Sequence, residues 1–231
     1  MLSKFSGSHQ NLRYFFLLAF LLGALGISLF LAVSMGSVQI SLSDTYRIIL
    51  SQLGAPFEIG DISKSTLAIV WNMRLPRVFL ALIVGAGLSM CGSVMQSTVN
   101  NPIAEPYVLG ISAGATFGAT LSIILGFKVM IGLGSFLGAI LATVAVLLIA
   151  SMQSRMTTSS LILSGTVVNA LFLAFSNFII SIGANADSVM TIKFWTMGSL
   201  AGTSWGHLTL PTIIVESLFY FSLHNTVFSM P

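Results

Sequence analysis

The chain has 231 residues, a formal net charge of +3, 55% hydrophobic residues and 6% charged ones. Soluble domains average about 25% charged side chains, so this chain cannot clothe a water-facing surface. A soluble enzyme, a disordered chain and a nucleic-acid binder with a dense basic stripe are excluded. A polytopic membrane protein remains.

Charges punctuate the chain at membrane-sized intervals. None occurs between Arg13 and Asp44, Arg77 and Glu105, Glu105 and Lys128, Lys128 and Arg155, or Arg155 and Asp187. A span needs about 20 apolar residues, which predicts six helices near 14–35, 76–96, 107–126, 131–152, 159–182 and 207–224. The first apolar run, Tyr14 to Val33, is too long for a signal-peptide core and is read as a retained helix. Cys91 lies inside an apolar run and reads as a small buried residue.

The main polar stretch is 36–75, expected outside the membrane. Ser43 is predicted to cap a short helix whose apolar face is Tyr46, Ile49, Leu50 and Leu53. A second short helix is expected from Ser65, ending at Arg74-Leu75-Pro76-Arg77, where proline suits the first turn of the next span.

Three stretches are more specific than composition. Arg74-Leu75-Pro76-Arg77 puts two fixed charges at a membrane face. Asn100-Asn101-Pro102-Ile103-Ala104-Glu105-Pro106, preceded by Met95-Gln96 and followed by Leu109-Gly110-Ile111-Ser112-Ala113-Gly114-Ala115, forces a break between apolar helices. Polar backbone at membrane depth is tolerated where it is buried in protein or lines a cavity, and broken helices mark transporter pathways. Phe194-Trp195-Thr196-Met197-Gly198-Ser199-Leu200-Ala201-Gly202 reads as a half-helix or re-entrant piece. Glycines recur every four positions at Gly110, Gly114 and Gly118 and at Gly198, Gly202 and Gly206, and Gly134 precedes Gly138. Such stripes let helices approach closely.

Orientation is contested by charge. A cytoplasmic N-terminus, favoured by Lys4 and Arg13, leaves Lys4, Arg13 and Arg155 inside against Arg47, Lys64, Arg74, Arg77, Lys128 and Lys193 outside. That is the reverse of the positive-inside rule.

These stretches together resemble the permease subunits of type II ABC importers, the BtuC/FecCD-like family of iron–siderophore, haem and cobalamin uptake. The resemblance spans nearly the whole chain and is densest from Trp71 to Ala115. It implies an all-α, polytopic transmembrane bundle, one permease domain over 1–231, and an N-terminus in the cytoplasm of a bacterial cell. Family permeases have about ten spans, so the six expected here read as an N-terminal portion: a fragment, a truncated frame or a split subunit. It also implies that Arg74 and Arg77 dock carboxylates of an extracytoplasmic binding protein. By the same resemblance, Asn101, Pro102 and Ile103 match a cytoplasmic gate between the second and third spans, and Thr157, Thr158, Ser159 and Ser160 fall where the other gate forms, between the fourth and fifth spans.

No G-x-x-x-x-G-K-[ST] loop occurs in the sequence, so ATP hydrolysis is expected on a separate ATPase subunit. The expected function is inward movement of an iron(III)–siderophore chelate by a non-enzymatic subunit paired with a second permease, as a homo- or heterodimer. No cofactor, bound metal or nucleic-acid partner is expected. The alternatives are a cobalamin or haem permease, a secondary transporter, and a non-transporting remnant.

Overall fold

The computed structural model describes residues 4–57, 60–102, 104–152 and 157–228. Ile103 and Arg155 lie outside the described residues. The described residues are helical with short connections, as expected of an all-α bundle. Two compact units form, one from 1–84 and 200–231, the other from 85–199.

The first unit begins with α1 (Lys4–Ser34), followed by α2 (Leu42–Gln52). The cap of α2 is Ser41, not Ser43: its hydroxyl accepts from Asp44 N–H at 3.0 Å. The buried face of α2 is also rotated from the expected one. Thr45 and Ile48 are fully buried, whereas Tyr46 and Leu53 are exposed. Tyr46 instead meets Phe57 edge-on at 6.1 Å. Thr45 can face inward because its hydroxyl donates to Ser41 C=O at 3.0 Å. Arg47 forms a forked ion pair with Asp61, both bonds 3.1 Å, and the guanidinium holds that carboxyl below its ordinary pKa.

The second short helix of the polar stretch is not separate. Ser63 caps α3 (Lys64–Ala68), which continues through a π-turn, Ile69–Arg74, into α4 (Leu75–Val99). The apolar helical stretch is therefore 36 residues long, Lys64–Val99. Pro76 sits inside it rather than at its start. Leu75 N–H bonds to Val70 C=O in the π register. The next donor in that register would be Pro76, which has no N–H. Trp71 C=O instead accepts the indole N–H of Trp205 at 3.0 Å, and Trp205 stacks against Trp71 and Phe79 at 5.3 and 5.8 Å. An aromatic donor from a distant part of the chain thus replaces the bond that proline removes, and the helix runs on. Val33, Ile48, Val70 and Leu75 form this unit's buried core. The unit closes with α9 (Thr209–Phe228), in which Glu216 and His224 interrupt the apolar sequence.

The second unit takes the end of α4 and adds α5 (Ile111–Ile124), α6 (Ile131–Ser151), α7 (Thr158–Gly183) and α8 (Ala186–Met197). Ala113, Ala142, Val146, Val168 and Phe172 make a three-helix core, with Phe117 edge-on to Phe172 at 5.4 Å. The expected glycine stripe on α5 is used, and so are Gly134 and Gly138. A Cβ on Gly118 would fall on the carbonyl oxygen of Gly134, and one on Gly138 on that of Gly114. Pairing 114 with 138 and 118 with 134 makes α5 and α6 antiparallel at backbone contact.

The other glycines of the expected stripes do different work. Gly110 (φ 67°) is a left-handed turn between a 3₁₀ turn, Pro106–Leu109, and α5. Gly198 (φ 73°) ends α8, and nothing lies within 4 Å of a Cβ built at Gly202 or Gly206. The four-residue spacing of 198, 202 and 206 puts residues on one stripe only while the chain stays helical, and it leaves the helix at 198.

Among the described residues, four helical stretches are long and apolar enough to cross a membrane: Leu12–Ser34, Lys64–Val99, Ile131–Ser151 and Thr158–Gly183. α5 and α9 occupy the other two expected positions. At 14 residues, α5 reaches about 21 Å, short of a hydrocarbon core of about 30 Å. Many large apolar side chains lie on the outside, including Phe15, Phe16 and Phe20 on α1 and Leu133, Leu137 and Leu141 on α6. Such a surface suits lipid or protein rather than water. Cys91 is exposed on α4 rather than buried, because α4 turns that side of its apolar sequence outward.

Candidate functional site: two arginines and a polar turn

Arg74 and Arg77 stand one helical turn apart on the same face, in the first unit. The structure separates their roles. Arg74 is 8% exposed. Its Nη1 donates to Val33 C=O at 2.9 Å and Ser34 C=O at 2.7 Å, and its Nη2 donates to Val38 C=O. Val33 and Ser34 end α1, where carbonyls lack intrahelical donors and the helix dipole is negative. Arg74 is therefore a buried cap on α1 and not the exposed charge that the sequence suggested. Gly36 permits this approach, since a Cβ there would come within 2.7 Å of Arg74 Nη2.

Arg77 is half-buried. Its Nη2 donates to Ala201 C=O at 2.9 Å, and its Nε is buried with no partner among the described residues. A cleft of about 310 Å³ lies beside both arginines, walled by Met35, Val38, Ile69 and Met73. Neither guanidinium is paired with a carboxylate among the described residues. The cleft is thus electropositive, and Arg77 is the one of the two with exposed surface to offer.

The second group of expected site residues lies in the second unit. Helix α4 ends in a compact polar turn. Asn100 takes φ 52°, the sole non-glycine positive φ among the described residues. Asn101 N–H bonds back to Gln96 C=O at 3.1 Å and Ala104 N–H to Asn101 C=O at 3.1 Å. This is a Schellman-type ending, for which asparagine is the usual substitute for glycine. The sequence reading marked the break here but not the left-handed residue; an Asn-Asn-Pro run after an apolar helix is the signal that identifies it. Asn100→Gly is expected to keep stability within about 0.5 kcal/mol, and Asn100→Val to cost about 1–2 kcal/mol. Thermal unfolding of the two variants in detergent checks this, and equal melting temperatures would contradict it.

Thr157 and Ser160 form a capping box at the start of α7: Ser160 N–H to Thr157 Oγ1 at 3.1 Å and Thr157 N–H to Ser160 Oγ at 3.0 Å. Ser160 is buried, so these two serve the helix end. Ser159 and Pro102 are exposed, and Asn101 is half-buried. Thr158 points the other way, its Oγ1 donating to Val99 C=O at 2.9 Å. The two segments that the resemblance links to a gate are therefore neighbours, joined across 59 positions of sequence. Sequence reading missed this bond and the Trp205–Trp71 bond, because each joins residues far apart in the chain.

Comparison with known proteins fits this arrangement. The model of the FecCD transport family matches residues 21–227. An ABC transporter permease protein, YvrB, of Bacillus subtilis is 35% identical over 211 residues, covering 87% of this chain and 58% of that protein. The cobalamin import system permease protein BtuC of Halobacterium salinarum is 35% identical over 167 residues, covering 71% and 44%. The molybdate import system permease protein MolB of Haemophilus influenzae is 31% identical, covering 83% and 57%. A solved metal-chelate type ABC transporter in an inward-facing conformation superposes with a TM-score of 0.61 at 28% identity, covering 86% of this chain and 55% of that one. The chain spans about half the length of the curated relatives it matches. With its match running through both arginines, the polar turn and the start of α7, this integral membrane chain belongs to the FecCD transport family.

Proposed function

We propose that the chain is a permease subunit of a type II ABC importer that passes a chelated metal inward, an iron(III)–siderophore in the first instance. The family match over 21–227 carries this reading. Six spans, with α5 and α9 included and the N-terminus in the cytoplasm, would put Arg77 at the outer rim and the Asn100–Glu105 turn at the inner mouth. A second permease subunit would complete the pathway, a separate ATPase would supply the energy, and a binding protein would deliver the chelate. The electropositive cleft beside Arg77 supports docking of a carboxylate, with Arg74 acting from beneath as the cap that positions α1. Charges at such a rim steer encounter and fix register more than they add affinity. The relatives named for cobalamin and molybdate favour a second reading, in which the same fold carries one of those cargoes.

The test is ATP-driven uptake by the transporter, reconstituted in proteoliposomes with its ATPase, binding protein and partner permease. Iron(III)–siderophore, cobalamin and molybdate are offered in parallel. Uptake of the siderophore chelate is expected, and uptake of either other cargo alone would replace it with the second reading. Arg77→Glu is expected to slow capture of the loaded binding protein about tenfold at low salt. The deficit should shrink as the screening length falls from about 30 Å at 0.01 M to about 3 Å at 1 M. Capture unchanged across the salt series would remove Arg77 from the docking face.

A further inference from the structure

The two arginines at the head of α4 carry charge that their surroundings do not neutralise. Arg74 spends its donors on three carbonyls, and Arg77 gives one bond to Ala201 C=O. Arg77 Nη1 has no partner among the described residues. No acidic side chain lines the cleft beside them. That cleft opens where the apolar stretch of α1, Leu12–Ser34, ends, at the level where a bilayer passes from hydrocarbon to headgroups. Its walls include Met35 and Met73, both exposed.

A second hollow lies beside it in the first unit. This groove of about 180 Å³ is walled by apolar side chains alone, among them Leu29 and Phe30 of α1 and Leu75, Phe79 and Leu82 of α4. Val78 lines both the cleft and the groove. On each helix the groove residues sit about one turn nearer the middle of the apolar stretch than the cleft residues do. Charge at the helix ends, followed by a wholly apolar groove one turn further in, is the polarity order of a phospholipid: phosphate first, acyl chain after.

We propose that the cleft and the groove together hold one anionic phospholipid, its phosphodiester on Arg77 and one acyl chain along the groove. A guanidinium suits phosphate because its planar edge donates two parallel bonds. An anionic headgroup is favoured over one bearing an ammonium, since the cleft lining has no carboxylate to receive an ammonium. The inference needs α1 and α4 in a membrane and does not need the permease reading. It bears on that reading at one point: phosphate and carboxylate are both oxyanions, so a bound lipid competes with a docking protein for the same guanidinium.

The test is native mass spectrometry of the full chain released from micelles doped with defined lipids, read as lipid bound per chain against lipid concentration. Wild type is expected to hold one dioleoylphosphatidylglycerol about fivefold more tightly than dioleoylphosphatidylethanolamine, the scale of one basic side chain facing an anionic leaflet. Arg77→Gln should lose that preference and Arg77→Lys should keep most of it. Lys64→Gln removes an exposed charge outside the cleft and should change nothing. Equal affinity for the two lipids in wild type, or a preference that survives Arg77→Gln, overturns the headgroup site. Leu82→Trp, which fills the groove, should weaken both lipids about fivefold; unchanged affinity in a variant that melts with wild type overturns the acyl-chain site. A further arm decides the source of the phosphate without any substitution. Inorganic phosphate in about hundredfold excess should leave the phosphatidylglycerol bound, because it gains nothing from burying a chain. Displacement by it would mark an anion site that needs no lipid and would overturn the proposal. None of these readouts depends on what the chain transports, so failure of the permease reading would show separately, as wild-type transporter that imports none of the three cargoes.

Discussion

Gly118→Ala is expected to destabilise the second unit by about 3 kcal/mol or to prevent its accumulation. The added methyl would meet the carbonyl of Gly134 on α6, and backbone cannot rotate aside as a side chain can. The two helices would have to separate along a seam where Gly114, Gly118, Gly134 and Gly138 all lie in contact. Overpacking of this kind costs about 1–3 kcal/mol even where neighbours relax, and in a bilayer the lost van der Waals contact is not recovered from a hydrophobic driving force. The matched controls are Gly92→Ala on α4 and Gly132→Ala on α6, where nothing lies within 4 Å of the new Cβ. There the better helix propensity of alanine should leave stability unchanged or slightly raised. Thermal unfolding of the purified variants in detergent separates the two classes. A Gly118→Ala protein melting with its controls would mean that α5 and α6 are not in backbone contact.

Arg74→Ala is expected to cost about 3 kcal/mol, almost wholly in the first unit. The guanidinium supplies donors to three carbonyls at or just beyond the end of α1. A buried acceptor left without a partner costs about 1–3 kcal/mol, and water entering the adjoining cleft would recover part of that sum. Arg74→Lys should fall between wild type and alanine, since one ammonium lacks the planar fork that spans several acceptors. Arg77→Ala should change stability by less than about 1 kcal/mol, because that side chain is half-buried and makes a single described bond. Limited proteolysis gives the local readout: cleavage within 35–41 should rise in Arg74→Ala and not in Arg77→Ala. Equal stability of the two alanine variants would contradict the capping role of Arg74.

The contrast between the two arginines shows where sequence reasoning stops. Arg74 and Arg77 are equivalent as letters, both flanking a proline at the head of an apolar run. They diverge because Arg74 meets carbonyls that α1 delivers from about 40 residues upstream, and no local rule anticipates that. Pro76 teaches the same lesson. Its usual place is the first turn of a helix, yet here the helix passes through it, because Trp205 supplies a donor from 134 positions away. On α2 the buried face lies one position from the expected one, since Thr45 turns inward with its hydroxyl satisfied within its own helix.

Composition and charge spacing alone determined that the protein is helical and lies in a membrane, since only 6% of residues are charged and the uncharged runs have the length of about 20 residues that a helix needs to cross, whereas barrel strands are shorter and alternate. Motif order alone pointed to the family, to the break after Val99 and to the α5 glycine stripe, because these depend on neighbours in sequence or on a regular helical period. Tertiary structure decided the rest. It picked out which glycines touch a facing helix, turned one arginine into a cap and left its neighbour half-buried beside the cleft. It also brought Thr158 to Val99. Each of those outcomes depends on a donor or a backbone brought close by folding, and that proximity is not written in any single stretch of the chain.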